Sequence, residues 1–166
     1  MSSQDGKQIA RIVRMRMEEF REACKVLDEE SASRAPEGRW TPKQVVSHLC
    51  GPAGHGHIAS FKRFLQEDTP LIELEIENPF WAGPRADMTF KELLAEFERE
   101  YTSVACFVEG LSGAQMARKA HIPMLKESPM GEFPTLAQWI LGLADFHIGF
   151  HIKHLKEILA VVGGRK

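Results

Sequence analysis

The 166-residue chain lacks the features that announce several large classes of protein. It has only three cysteines, Cys24, Cys50 and Cys106, widely spaced, odd in number and without a CxxC pair. That argues against a disulfide framework and against a cysteine-ligated zinc site. Charge of one sign is not in excess either: 21 Lys and Arg stand against 23 Asp and Glu, and the basic residues are spread along the chain. No electrostatic footprint for nucleic acid or an anionic membrane results. Long hydrophobic runs are missing. The longest weakly charged run, "PTLAQWILGLADF", is too short to span a bilayer and contains Asp145. The opening "MSSQDGKQIARIV" lacks the apolar core of a signal peptide, so the expected location is cytoplasmic. There is no phosphate-binding loop, no dinucleotide fingerprint, no Ser-His-Asp order, no internal repeat and no convincing strand pattern.

What the chain does have is helical periodicity. With 43% apolar and 27% charged residues it has the composition of an ordinary globular protein, and its length suits one domain over 1–166. Four segments carry apolar stripes. The first is expected over Lys7–Glu30, with Ile9, Val13, Met17, Phe20, Cys24 and Leu27 in line. "ESASRAPEGRW" breaks it. The second starts with Thr41 as N-cap and Pro42 at the first helical position, and carries Val45, His48, Leu49, Ile58, Phe61 and Leu65. "CGPAGHG" lies in its middle, and Pro52 removes the hydrogen bond to the His48 carbonyl, so a kink or break is expected there.

Residues 67–88 form a long connection with three prolines; "LIELEI" alternates like a strand but has nothing obvious to pair with. The third helix follows Thr89 and should stop near "EGLSG". A second long connection covers 111–134. The fourth helix is expected from about Thr135 to Val162, stopped by a diglycine. The expected fold class is all-α, a four-helix bundle with two long connections.

The chemistry concentrates near the C-terminal end. "DFHIGFHIKHL" places His147, His151 and His154 among apolar residues. On an α-helix His147 and His151 lie about 40° apart, and His154 about 20° from His147 in the other direction. All three share the face of Ile140, Leu143 and Ile158. An imidazole on a core-facing stripe must be hydrogen-bonded, ligated or close to water. Histidines at i,i+4 can share a metal ion, which fits His147 with His151; the i,i+3 pair His151 and His154 competes. Two ligands on one helix need a third from a neighbour, and His48, on the stripe of the second helix, is the natural candidate. His55 lies two turns beyond it, roughly 10 Å along an unbroken helix. His57 and His121 carry no specific argument. Neutral imidazoles suit zinc, nickel, copper or iron, and three of them leave a coordination position open.

"GRWTPKQVVSHL", followed about a hundred residues later by "HIGFHIKHL", resembles the DinB/YfiT-like superfamily, whose motifs are a Trp, then Ser or Thr before His-Leu, and a later His-x3-His. "PMGEFPTLAQWI" is similar to that family's approach to its last helix. The resemblance implies a DinB-like four-helix bundle holding a divalent metal ion, zinc or nickel, on His48, His147 and His151. His154 is then a neighbour of the site or simply a buried residue. The "CGPAGHG" that follows the first motif is a departure from the family pattern. Characterised relatives include metal-dependent transferases and isomerases that use low-molecular-weight thiols such as bacillithiol or mycothiol. The implied activity is transfer of such a thiol cosubstrate to an electrophilic small-molecule substrate. The alternative is a non-catalytic metal-binding bundle with a stress-related, binding or scaffold role.

Other residues receive plainer readings. Trp40 should pack the start of the second helix, Cys50 should be a small buried apolar residue, and Asp145 should face away from His147. Glu127 and Glu132 read as loop charges. Arg85, Arg118 and Lys119, in or near the long connections, are candidates for meeting an anionic substrate. Phe146, Ile148, Phe150 and Ile152 make the last helix apolar nearly all round, which favours cover by the 111–134 connection or by a second copy in a homodimer.

Overall fold

The computed structural model describes residues 3–75 and 77–162, with side chains from Gly6 onward. Helix α1 spans Ser3–Cys24. It stops earlier than its apolar stripe suggests because Asp28 competes for the backbone. The Asp28 carboxylate accepts from the Ser31 N–H at 2.8 Å, the Ser31 hydroxyl accepts from the Asp28 N–H at 2.9 Å, and a separate short helix, α2 (Glu29–Ala32), begins.

Helix α3 is Pro42–Cys50. Its start is the expected one: Thr41 Oγ1 accepts from the Gln44 N–H at 3.1 Å, and Gln44 Oε1 accepts from the Thr41 N–H at 2.8 Å. The expected break is also there. Gly51, at φ 73°, ends α3, and α4 (Ile58–Gln66) resumes after the Gly- and Pro-rich loop. The first long connection contains a single turn of helix, α5 (Pro84–Asp87), and leads into α6 (Phe90–Glu109), capped by Thr89 and Glu92.

The second long connection contains α7 (Gly113–Met116) and a 3₁₀ turn, Pro123–Leu125. Thr135 and Gln138 cap α8 (Leu136–Leu141). It runs without interruption into a π-helical segment, Gly142–Ile148, and then α9 (Gly149–Val162), since both joining glycines keep right-handed helical angles. The diglycine expected to stop this helix lies outside the described residues.

The architecture is an all-α four-helix bundle. Among the described residues there is no strand, only isolated bridges between Leu71 and His121 and between Lys119 and Thr135. "LIELEI" therefore forms no sheet. Its first residues bond to the other long connection: the Ile72 N–H donates to the His121 carbonyl at 2.9 Å, and the His121 N–H to the Pro70 carbonyl at 2.8 Å. Helix α6 packs on both α1 and α3, and the last helix also packs on both. Phe20 and Phe97 meet between α1 and α6 with ring centroids 4.8 Å apart and no exposed surface. At Gly6 the two helices come so close that a Cβ would stand 2.6 Å from the Val108 carbonyl oxygen. This frame brings α3 against α9, and with it the histidines of two distant sequence motifs.

Candidate metal centre

His48 sits near the end of α3, His147 in the π-helical segment and His151 in the first turn of α9. A π turn holds an extra residue and is found frequently at functional sites. Here it sets how His147 stands relative to His151. Nε2 of His48 lies 2.9 Å from Nε2 of His147, which lies 3.2 Å from Nε2 of His151. One nitrogen from each ring lies within 4.8 Å of the others. His151 is buried; His48 and His147 are half-buried.

Hydrogen bonding alone does not satisfy this convergence. A neutral imidazole carries one proton and one lone pair, both in the ring plane. The Nδ1–H of His48 donates to the Asn78 carbonyl at 2.7 Å, so its Nε2 presents a lone pair. His147 Nε2 can donate one proton to His48 but then has no lone pair for His151. A cation among the three nitrogens resolves the conflict. Nitrogens about 2.0–2.1 Å from one tetrahedral ion stand about 3.3 Å apart, close to the spacings observed. Ligation through Nε2 places the His147 proton on Nδ1, a buried atom with no hydrogen-bond partner among the described residues. The donor set fits a divalent metal ion.

The electrostatics favour the same protonation states. Burial, and then the neighbouring His48 and His57, push the His147 pKa down to about 3. Burial, and then His147, His48 and His154, push His151 down to about 2. His48 is lowered by burial, opposed by its bond to Asn78, and His154 is lowered chiefly by burial. Neutral imidazole is the form that ligates.

His154 lies beside the set rather than in it: its Nδ1 is 3.3 Å from Nδ1 of His151, on the side away from the converging Nε2 atoms. His55 is exposed in the loop after α3. His57 turns its Nε2 to the Leu49 carbonyl at 2.8 Å, where the Tyr101 hydroxyl also donates at 2.8 Å, so it braces the end of α3. His121 pairs with Glu132 at 3.1 Å and stacks on Phe133, so Glu132 is more than a loose loop charge.

Several side chains take roles that the sequence did not disclose. Trp40 lines the site, its ring 5.0 Å from that of His48 and 6.3 Å, nearly parallel, from that of His151. Phe80 stacks over His48 at 6.3 Å, and Phe150 meets His151 edge-on at 5.1 Å. A tryptophan seven residues before Ser47 of the second-helix motif's Ser-His step was the available signal for the first; nothing marked the other two. Arg85 is no anion site: it is 1% exposed and bound to Ser47 and Glu96. Arg118 is likewise committed, donating to the carbonyls of Phe64 at 3.0 Å and Glu67 at 2.7 Å. Asp145 does face away, toward Arg16 at 2.8 Å, and Cys50 is buried, its thiol pushed up to about 12.

No family model matches the chain, and no curated protein matches it. Among solved structures, YfiT from Bacillus subtilis, described as a probable metal-dependent hydrolase with an unusual four-helix bundle topology, superposes with a TM-score of 0.72 at 23% identity. The alignment covers 98% of this chain and 90% of that one. The chain thus shares the four-helix-bundle fold of that structure. Among the described residues no helix is long and apolar enough to cross a membrane.

Proposed function

We propose that the protein is a divalent-metal-dependent enzyme in which His48, His147 and His151 hold the ion and a low-molecular-weight thiol is transferred to an electrophilic small molecule. The observation that carries this reading is the convergence of three imidazole nitrogens, with no fourth His, Cys, Asp or Glu in the group among the described residues. A closed four-ligand set would speak for a structural ion; three ligands speak for a catalytic one. When bound, such an ion supplies Lewis acidity that lowers the pKa of a water or thiol at its open position.

The remaining work falls to the protein. The Asn78 carbonyl holds His48 in the tautomer whose Nε2 is free. Burial keeps His147 and His151 unprotonated. Trp40, Phe80 and Phe150 wall the site with aromatic surface, which limits water and suits an electrophile with an apolar body. Among the described residues the converging group includes no carboxylate, so this reading assigns no general base. That favours a thiol, whose ordinary pKa is about 8.5, over water, at about 15.7. The thiol sulfur forms the new bond to the electrophilic carbon as that carbon's bond to its leaving group breaks; the leaving group departs with the electron pair of the broken bond, and the thiol proton goes to solvent.

A second reading, hydrolysis, draws support from the description of the B. subtilis structure that shares the fold. One experiment separates the two. Tag-free protein loaded with zinc or nickel is incubated with bacillithiol, mycothiol or cysteine and a panel of aryl and alkyl electrophiles, and products are read by mass spectrometry. Thiol conjugates that vanish on chelation support transfer. Hydrolysed product without conjugate supports the second reading. Full metal loading with no turnover of any pair leaves a non-catalytic binding role.

For assembly we propose a homodimer. Ile148 and Ile152 are buried within the bundle, whereas Phe146 and Phe150 on the same helix are 76% and 56% exposed. Sedimentation over a wide concentration range checks this, and a monomer throughout rejects it.

A further inference from the structure

The segment that carries Asn78 is a strap laid across α3, and it is held in a conformation that it would not adopt alone. Glu77 and Phe80 have φ of 55° and 51°. For residues with a side chain this left-handed region is disfavoured, and for a bulky one such as Phe80 it persists only where surrounding contacts impose it. The Phe80 N–H donates to the Asn78 side-chain oxygen at 2.7 Å, and the Phe80 carbonyl accepts from the Ser47 hydroxyl at 3.3 Å. One residue further along α3, the His48 Nδ1–H donates to the Asn78 carbonyl at 2.7 Å.

The far end of the strap is bolted by Arg85. Its Nη1 donates to the Ser47 carbonyl at 2.8 Å and the Ser47 hydroxyl at 3.1 Å; its Nη2 and Nε donate to Glu96 at 2.7 and 3.2 Å. A guanidinium buried this deeply holds its place only if its donors are met, and they are met by α3 on one side and α6 on the other. Arg85 and the Phe80 carbonyl share the same Ser47 hydroxyl, the residue immediately before His48.

We propose that Arg85 is a positioning residue for His48: through Ser47 it fixes the strap so that the Asn78 carbonyl keeps the proton on His48 Nδ1 and turns the Nε2 lone pair toward His147 and His151. The proposal rests on the reading of His48 as a metal ligand, but its primary measurement needs no metal. Which nitrogen of an imidazole carries the proton is set by the hydrogen bond the ring makes. Remove the bolt and the strained strap relaxes, the carbonyl moves off, and the ring is free to take either tautomer.

The test uses metal-free protein and long-range ¹H–¹⁵N spectra of the histidine rings, followed by titration with Co(II). In the wild type, His48 should be protonated on Nδ1 alone. In Arg85→Met it should become a mixture of tautomers, with Co(II) affinity lower by about 10–100-fold, the usual effect of losing a group that orients a ligand. Ser47→Ala removes the shared hydroxyl with little disturbance of packing, and should shift the tautomer in the same direction; it decides the matter if Arg85→Met does not fold. A wild-type His48 protonated on Nε2 overturns the proposal. So does a folded variant that keeps the Nδ1 proton and the wild-type Co(II) affinity. Failure of the wild type to bind Co(II) would count against the metal site, while the tautomer result would still decide the role of the strap.

Discussion

Nε2 of His48 and Nε2 of His147 stand 2.9 Å apart, although the two residues are 99 positions apart in the chain. Each belongs to a helix with buried apolar neighbours: Val45, Val46 and Leu49 around the first, Leu143, Ala144 and Ile148 around the second. Packing of those neighbours drives the two rings together, and the desolvation of the rings is a consequence.

The ligand assignment makes a four-variant prediction. His48→Ala, His147→Ala and His151→Ala should each lower metal affinity severely, because three neutral ligands become two. His154→Ala should keep one metal per chain, with affinity lower by at most about 10–100-fold. Metal content and competition titration of all four measure this. Loss with His154→Ala and retention with His147→Ala would move the site to the i,i+3 pair.

Acid should destabilise the metal-free protein well above the carboxylate range. His147 and His151 have an ordinary pKa near 6.5, and folding lowers them to about 3 and about 2. The unfolded chain therefore binds more protons than the folded one between those values. The histidine contribution is fully present above about pH 6.5 and is lost progressively as pH falls toward about 3. Thermal melts of the metal-free protein from pH 8 to pH 4 should show Tm falling below about pH 6.5, and a flat Tm between pH 7 and 5 would contradict it.

Phe97 carries much of the contact between α1 and α6. It is fully buried, 4.8 Å from Phe20 and 4.8 Å from Tyr101 by ring centroids. Phe97→Ala should cost about 3–5 kcal/mol in urea unfolding, the usual range for opening a cavity of that size in a core.

Gly6 tests the approach of the same two helices at their other end. In most exposed helices Gly→Ala is stabilising by about 1 kcal/mol. Here the added methyl would meet the Val108 carbonyl oxygen at 2.6 Å, a backbone atom that cannot swing aside. Gly6→Ala should therefore destabilise, by about 1–3 kcal/mol. A rise in Tm would show that the helices have room to part.

The elements and the ligand candidates were readable in the sequence because they are written in local chemistry. Thr41-Pro42, Thr89 and Thr135 start helices through bonds to residues three positions on, and the Gly51-Pro52 step breaks one, whatever the rest of the chain does. The histidines of "HIGFHIKHL" declare themselves by standing where leucine would serve. The first helix ends before its apolar stripe does, because Asp28 and Ser31 cap a new helix and outweigh a stripe that continues past Cys24.

What only the tertiary structure decided is everything that depends on which backbone lies opposite which side chain. The π turn that carries His147 has no sequence signature, since the same residues would continue an α-helix. The sequence offers Arg85 as a candidate for meeting an anionic substrate because nothing local tells that Ser47 and Glu96 meet it. The partner of His48 is a carbonyl, and every residue has one; that Asn78 supplies it depends on the course of a strained strap 30 residues away. Periodicity and caps act within a few residues and survive in the sequence as pattern. A long-range hydrogen bond to the main chain leaves no mark there, so the histidines that converge here could be named from the sequence while the groups that hold them in place could not.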